Sequence, residues 1–315
     1  MTTRDKLLGL TVAVLWGLNF LAIRAGLNHF PPFFFAALRF LVIAVPVVLF
    51  VPQPKVPLKW LLLYGFGFGF LQFAFLFSAM HIGMPTGLAS LVLQSSAPFT
   101  VILGALLLRE HVGRRQWIGI GVAIGGMVLI GWDRAVDPTG ILPTRSGASL
   151  LPVVLTLLAG LGWAFGNLGS RLAQAQRPMQ LMLWMTVVPP LPMLAVSAVV
   201  EGPGTGWAAL GTSFSGSGWP ALAGLAFIVG PATLVGTGIW TYLMGRYSAG
   251  TVAPFSLLVP VVGIGASWLV LHENPSVVSL IGAAVVIGGC AWGFRKAAGP
   301  AVATIGTPPL VRPLA

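Results

Sequence analysis

The chain has 315 residues, of which 57% are apolar and only 7% charged, and its mean hydropathy is +0.94. A soluble domain carries about 25% charged residues, and 17 basic plus 6 acidic side chains cannot keep a folded surface of this size in water. A soluble enzyme and a disordered chain are excluded, which leaves an all-α polytopic membrane protein in contact with a lipid bilayer. The net charge of +11 would point to nucleic acid in a soluble chain. In a membrane chain it reflects basic loops facing an anionic leaflet, so no nucleic-acid partner is expected. The single cysteine, Cys290, lies in an apolar run and forms no intramolecular disulfide.

A membrane-spanning helix needs about 20 mainly apolar residues. Breaks rich in charge, Pro or Gly/Ser predict ten such helices, near 7–25, 33–51, 59–80, 86–108, 116–132, 148–170, 179–200, 219–245, 249–271 and 276–294. The first follows Arg4 and Lys6, as a signal peptide would. It exceeds the usual apolar length of about 7–15 residues and is interrupted by Trp16 and Asn19, so it reads as a retained helix. His272-Glu273-Asn274-Pro275 separates the last two spans. The alternating polarity of transmembrane barrel strands is absent.

Lys and Arg placement sets the expected orientation. With the N-terminus inside, Arg4, Lys6, Lys55, Lys59, Arg109, Arg114, Arg115, Arg171, Arg177, Arg246, Arg295, Lys296 and Arg312 face the cytoplasm. Only Arg24, Arg134 and Arg145 face out, and Arg39 lies within a span. Both termini are then cytoplasmic. The 295–315 tail has little to bury and reads as disordered.

The two halves resemble each other. Trp16 and Arg24 match Trp163 and Arg171 at an offset of 147, with Asn19 and Asn167 one residue out of step. Glu110, Ile118, Gly119, Val122, Ile124, Gly125 and Gly126 match Glu273, Ile281, Gly282, Val285, Ile287, Gly288 and Gly289 at an offset of 163. Pro98 and Pro260 precede the two glutamates. Residues 1–132 and 148–294 are thus two five-helix repeats joined by an external linker, 133–147. An odd number of spans inverts the second copy, an architecture of secondary transporters that bind substrate at the midplane between repeats.

On these residues the chain resembles the EamA-type branch of the drug/metabolite transporter superfamily, and within it the YddG-like bacterial amino-acid exporters. The resemblance is carried by Val14 to Phe20, Leu38-Arg39-Phe40, Ala97-Pro98-Phe99 through Arg109-Glu110, and Gly119 to Gly126. The second half repeats the pattern at Pro260 through Glu273 and Gly282 to Gly289. The resemblance implies a ten-helix fold and export of small metabolites across a bacterial inner membrane. It also implies a central cavity lined by the first, third, fourth, sixth, eighth and ninth spans.

The polar residues narrow the mechanism. The acids Asp5, Glu110, Asp133, Asp137, Glu201 and Glu273 all fall in loops or at helix ends, as do the four histidines. A proton-coupled carrier commonly relays through a buried titratable group, so facilitated transport is expected. His81, ending the third span, is the strongest candidate for a proton; an interfacial histidine is the plainer reading. Arg39, about six residues past Phe33 and so ~9 Å deep, must meet carbonyls, water or an anion. It either attracts a substrate carboxylate or is a structural arginine near the external end, snorkelling or bound to carbonyls. Trp16 with Asn19, and Trp163 with Asn167, each share one helix face. An indole beside an amide suits a zwitterion with an apolar side chain, and suits helix packing as well.

Gln72, Gln94, Ser95, Trp240, Tyr242 and Ser256 complete the candidate substrate-binding set. Pro98, Pro254 and Pro260 each remove a helical hydrogen bond and are candidate hinges. Small-xxx-small pairs at Gly65/Gly69, Gly121/Gly125, Gly162/Gly166 and Gly289/Gly293 read as packing devices. No catalytic grouping, phosphate loop, metal cluster or cofactor motif is present in the sequence. The expected function is export of small neutral metabolites, amino acids with aromatic or apolar side chains foremost, by alternating access. A multidrug or quaternary-ammonium exporter, and a non-transporting scaffold or receptor, are the alternatives.

Overall fold

The computed structural model describes residues 1–109, 112–136, 150–247 and 252–294. Glu110, Asp137, Arg145, most of the expected linker and the tail lie outside them. Among the described residues every regular element is helical. Eight helices among the described residues are long and apolar enough to cross a membrane. These are α1 (Thr3–Leu27), α2 (Pro32–Phe50), α3 (Leu58–His81), α4 (Thr86–Leu108), α5 (Arg114–Asp133), α6 (Leu151–Ala173), α7 (Pro178–Val200) and α8 (Trp219–Met244). Two shorter apolar helices follow, α9 (Phe255–Leu271) and α10 (Val277–Gly293). The stretch between α7 and α8, read as loop from its Gly and Ser content, carries a further short helix, Thr205–Thr212.

The helix starts follow from local chemistry. Pro32, Pro178 and Pro190 occupy first-turn positions, where a missing N–H costs nothing. Two other starts are capped from a distance. Glu201 at the end of α7 accepts from the N–H groups of Phe33 and Phe34, at 2.7 and 3.0 Å. Glu273, between α9 and α10, accepts from those of Thr86 and Gly87, at 2.9 and 3.1 Å. Each carboxylate meets a positive helix end and ties a second-half element to a first-half helix.

The internal repeat is visible in the irregularities. A π-helical stretch occupies Gly65–Leu71 in α3 and Ile228–Thr237 in α8, with starts 163 residues apart. A 3-10 turn occupies Leu93–Ser95 in α4 and Ala253–Leu258 at the start of α9. Pro98 and Pro260 follow these turns closely, and Pro254 lies in the first turn of the second. Arg109 and His272, again 163 apart, both end their helices in the left-handed region at φ 54°.

Packing repeats in the same way. α1 packs on α8 and α9, and α6 packs on α3 and α4, while α2 pairs with α7 and α5 with α10. The α5–α10 pair is close because small residues meet. A Cβ on Gly119 would lie 2.6 Å from the Gly289 carbonyl oxygen, and one on Gly126 would lie 2.8 Å from that of Gly282. Gly162 and Gly166 bring α6 against the backbone of α3. Gly65 and Gly69 abut Val188 and Pro189, where α7 is interrupted before Pro190. Gly121 and Gly125 are the correction. They are exposed and nothing lies within 4 Å of an added Cβ, because the α10-facing stripe of α5 runs through Gly119 and Gly126 instead.

Two stability outcomes follow. Gly126→Val forces α5 and α10 apart and costs about 1–3 kcal/mol, whereas Gly121→Val leaves thermal unfolding in detergent unchanged. Glu273→Ala orphans two buried N–H groups and costs about 2 kcal/mol, read in the same assay.

Candidate functional site

Three of the four aromatic residues that meet inside the fold were visible in the sequence. Trp16 of α1 lies 6.1 Å from Trp163 of α6 in an edge-to-face arrangement, at 79°. It lies 5.2 Å from Trp240 of α8, at 47°. Phe68 of α3 meets Trp163 at 5.2 Å. These separations fall in the attractive range for aromatic pairs. All four rings are only half-buried although they face one another across four helices. α1 and α6 hold equivalent places in the two repeats, so the cluster straddles the repeat interface.

The irregular backbone supplies polar partners there. The Trp16 indole N–H donates to the Ala232 carbonyl at 3.1 Å, inside the π-helical stretch of α8. π-helical turns are frequent at functional sites. Pro231 lies in that stretch, and Thr233 Oγ1 donates back to the Ile228 carbonyl at 2.7 Å. Gln94 Nε2 donates to the Ser256 carbonyl at 2.9 Å, joining the 3-10 turns of α4 and α9. Non-helical backbone at membrane depth is tolerated where protein or a cavity serves its polar groups.

The remaining expected residues fall into three groups. Arg39 is 3% exposed in α2, stacked over Phe73 at 3.8 Å and Phe40 at 4.8 Å. Its Nη2 donates to Thr233 at 3.0 Å, and Phe73 in turn meets Phe68 at 6.0 Å. Arg39 thus joins the aromatic cluster on two sides. Asn19 Oδ1, Gln72 Oε1 and Ser95 Oγ are buried without a hydrogen-bond partner, and Ser95 packs against Gly160 of α6. Asn167 Nδ2 donates to Thr100 Oγ1 at 3.1 Å, so it is a bridge between α6 and α4.

His81 and Tyr242 stand apart. His81 is exposed at the last position of α3. Tyr242 is 45% exposed, and its hydroxyl accepts from Arg246 Nη1 at 3.3 Å. Two residues beyond Trp240, it lies about 200° around the helix, on the opposite face. An apolar crevice lined by Pro98, Ile120, Ala123 and Cys290 lies between α4, α5 and α10, and none of the clustered aromatics lines it.

Sequence reasoning missed Phe68, Phe73 and Thr233. Phe68 belongs to an alternating Gly-Phe run from Gly65 to Phe70, a pattern that itself signals close packing. Thr233 had only its neighbour Pro231 as a signal.

The family model described as EamA-like transporter family matches residues 6–132 and 150–294. The chain belongs to that family. It is 40% identical over 293 residues to a probable amino-acid metabolite efflux pump of Escherichia coli strain K12, covering 92% of this chain and 94% of that protein. It is 41% identical over 302 residues to a protein of the same description from Salmonella typhimurium, covering 94% and 97%. An uncharacterized inner membrane transporter of Escherichia coli is 25% identical over 173 residues, half of each chain. A solved crystal structure superposes with a TM-score of 0.60 at 20% identity, covering 93% of this chain and 98% of its own, and supports the fold. This EamA-family chain is therefore a multi-pass membrane transporter.

The indole N–H of Trp16 anchors α1 to α8. Trp16→Phe keeps an aromatic ring but loses the hydrogen bond to the Ala232 carbonyl, at a cost of about 1 kcal/mol. Trp16→Ala also empties the ring's place and costs about 3 kcal/mol. Both shifts are read from thermal unfolding in detergent.

Proposed function

We propose that this transporter exports amino acids or their close metabolites from a bacterial cytoplasm, apolar and aromatic side chains being preferred. The observation that carries the reading is the Trp16–Trp163–Trp240–Phe68 cluster, built from both repeats and adjoined by a buried cation. The 40% and 41% identities to proteins named as amino-acid metabolite efflux pumps support it. Aromatic rings take the apolar side chain, and Arg39, Asn19 and Gln72 face the polar end. Gln94, Ser95, Asn167 and Ser256 join the path through the 3-10 turns. His81 and Tyr242 play no part.

In this reading all ten apolar helices cross the inner membrane, as inverted repeats over 1–132 and 148–294, with both termini in the cytoplasm. Alternating access rocks one repeat against the other, with bending at Pro98, Pro254 and Pro260 beside the 3-10 turns. Transport is facilitative and involves no enzymatic step. The described acids bond to helix ends or loop hydroxyls, and none lies where a proton relay would need it. A quaternary-ammonium cargo fits less well, because the same site holds a buried guanidinium and, among the described residues, no carboxylate.

Counterflow in proteoliposomes with an amino-acid panel tests this. Leucine- or phenylalanine-like substrates should exchange without a pH gradient, and an imposed gradient should change rates less than about twofold. Trp163→Ala should cut exchange by an order of magnitude or more while the protein stays monodisperse. Wild-type-level exchange in Trp163→Ala removes the cluster from the path, and gradient-driven accumulation contradicts facilitated transport.

A further inference from the structure

Arg39 holds a charge deep in an apolar bundle with most of its bonding capacity unused. A guanidinium presents five donors in a planar fork. Only Nη2 has a partner, Thr233 Oγ1, while Nε and Nη1 are buried and unpaired. The rings of Phe73 and Phe40 lie against the cation but accept no conventional hydrogen bond. The described carboxylates are engaged elsewhere. Glu201 caps α2, Glu273 caps α4, Asp133 accepts from Ser276 and Ser279, and Asp5 accepts from Thr2 and Tyr247. The side chain does not snorkel to water, being 3% exposed. A charge placed this way is costly unless an anion completes it.

Two contacts tie Arg39 to the proposed path. Thr233 directly follows Ala232, whose carbonyl holds Trp16. Phe73, under the guanidinium, meets Phe68 of the aromatic cluster. Burial on this inner side keeps anionic lipid head groups away. Asn19 Oδ1 and Gln72 Oε1 are buried acceptors without partners, the complementary type for an ammonium.

We propose that Arg39 is the receptor for the substrate's carboxylate, which accepts from its unpaired N–H groups, and so selects molecules bearing a free α-carboxylate. Thr233 and the two phenylalanine rings hold the fork in place. This rests on the amino-acid reading above and adds the group that the site recognises.

The test compares an amino acid with its amide, which keeps the side chain and ammonium but loses the carboxylate. Purified protein in proteoliposomes is assayed by competition of phenylalanine and phenylalaninamide, and of leucine and leucinamide, against labelled counterflow. Wild-type protein should prefer each acid by about 10- to 100-fold, the span of a charge-assisted hydrogen bond. In Arg39→Gln the ratio should fall close to one, with the amide still competing, and Arg39→Lys should keep the preference at reduced affinity. A wild-type ratio near one, or an unchanged preference in Arg39→Gln, overturns the assignment. If Arg39→Gln does not fold, Thr233→Val, which releases the fork, is compared instead: the acid preference should fall, and an unchanged preference overturns the assignment. Absence of any amino-acid exchange by wild-type protein overturns the amino-acid reading itself, whereas exchange without acid preference overturns only the role of Arg39.

Discussion

Hydrocarbon offers no partner for a peptide N–H or C=O, and that constraint shapes this protein more than any single contact. Each unserved group costs several kcal/mol. A helix can depart from α geometry only where the protein itself receives the freed groups. Here the π-helical and 3-10 stretches lie in α3, α4, α8 and α9, the helices that enclose α1 and α6. The receiving groups are functional in type. The indole of Trp16 takes the Ala232 carbonyl, and the amide of Gln94 takes that of Ser256. In the proposed reading the side chains that bond to this irregular backbone also line the polar path through the apolar bundle.

The two repeats share backbone irregularities and differ in side chains. The π-helical stretch of α3 alternates Gly and Phe, so that Gly67 lies against α6 while Phe68 meets Trp163. Its counterpart in α8 carries Pro231 and Thr233 and presents a carbonyl and a hydroxyl. At the offset of 147, Arg39 falls on Thr186, which is buried where α7 is interrupted. In the proposed reading a symmetric scaffold holds an asymmetric site, in which the buried cation Arg39 has no basic counterpart at Thr186. A small zwitterion with one carboxylate matches that asymmetry better than a symmetric ligand would.

Eight of the ten expected spans are long and apolar enough among the described residues, and they were legible because hydropathy over about 20 residues is a strong signal; the last two are shorter apolar helices. The repeat was legible because Trp16, Trp163, Gly119, Gly126, Gly282 and Gly289 sit at contacts where a different residue would not pack. The π-helical stretches were not legible. The one in α3 lies where Gly67 meets Gly166 and Gly69 meets Pro189, which are tertiary contacts between distant segments. Nor could sequence separate Trp240 from Tyr242. Both are aromatic and polar-tipped, and the helical phase that turns one inward and the other out is fixed only by packing. Arg39 was recognisable as anomalous from its depth alone. Its free donors became apparent only once every described acid had been placed.

The central claim is that substrate binds at the repeat interface among Trp16, Trp163, Trp240 and Phe68, beside the π-helical stretch of α8. The most direct measurement is an experimental structure of the full chain with a transported amino acid bound. The account predicts density for its side chain against those rings, with its carboxylate toward Arg39. Density confined to the α5–α10 crevice, or to the α2–α7 face, with the aromatic cluster empty, would contradict it.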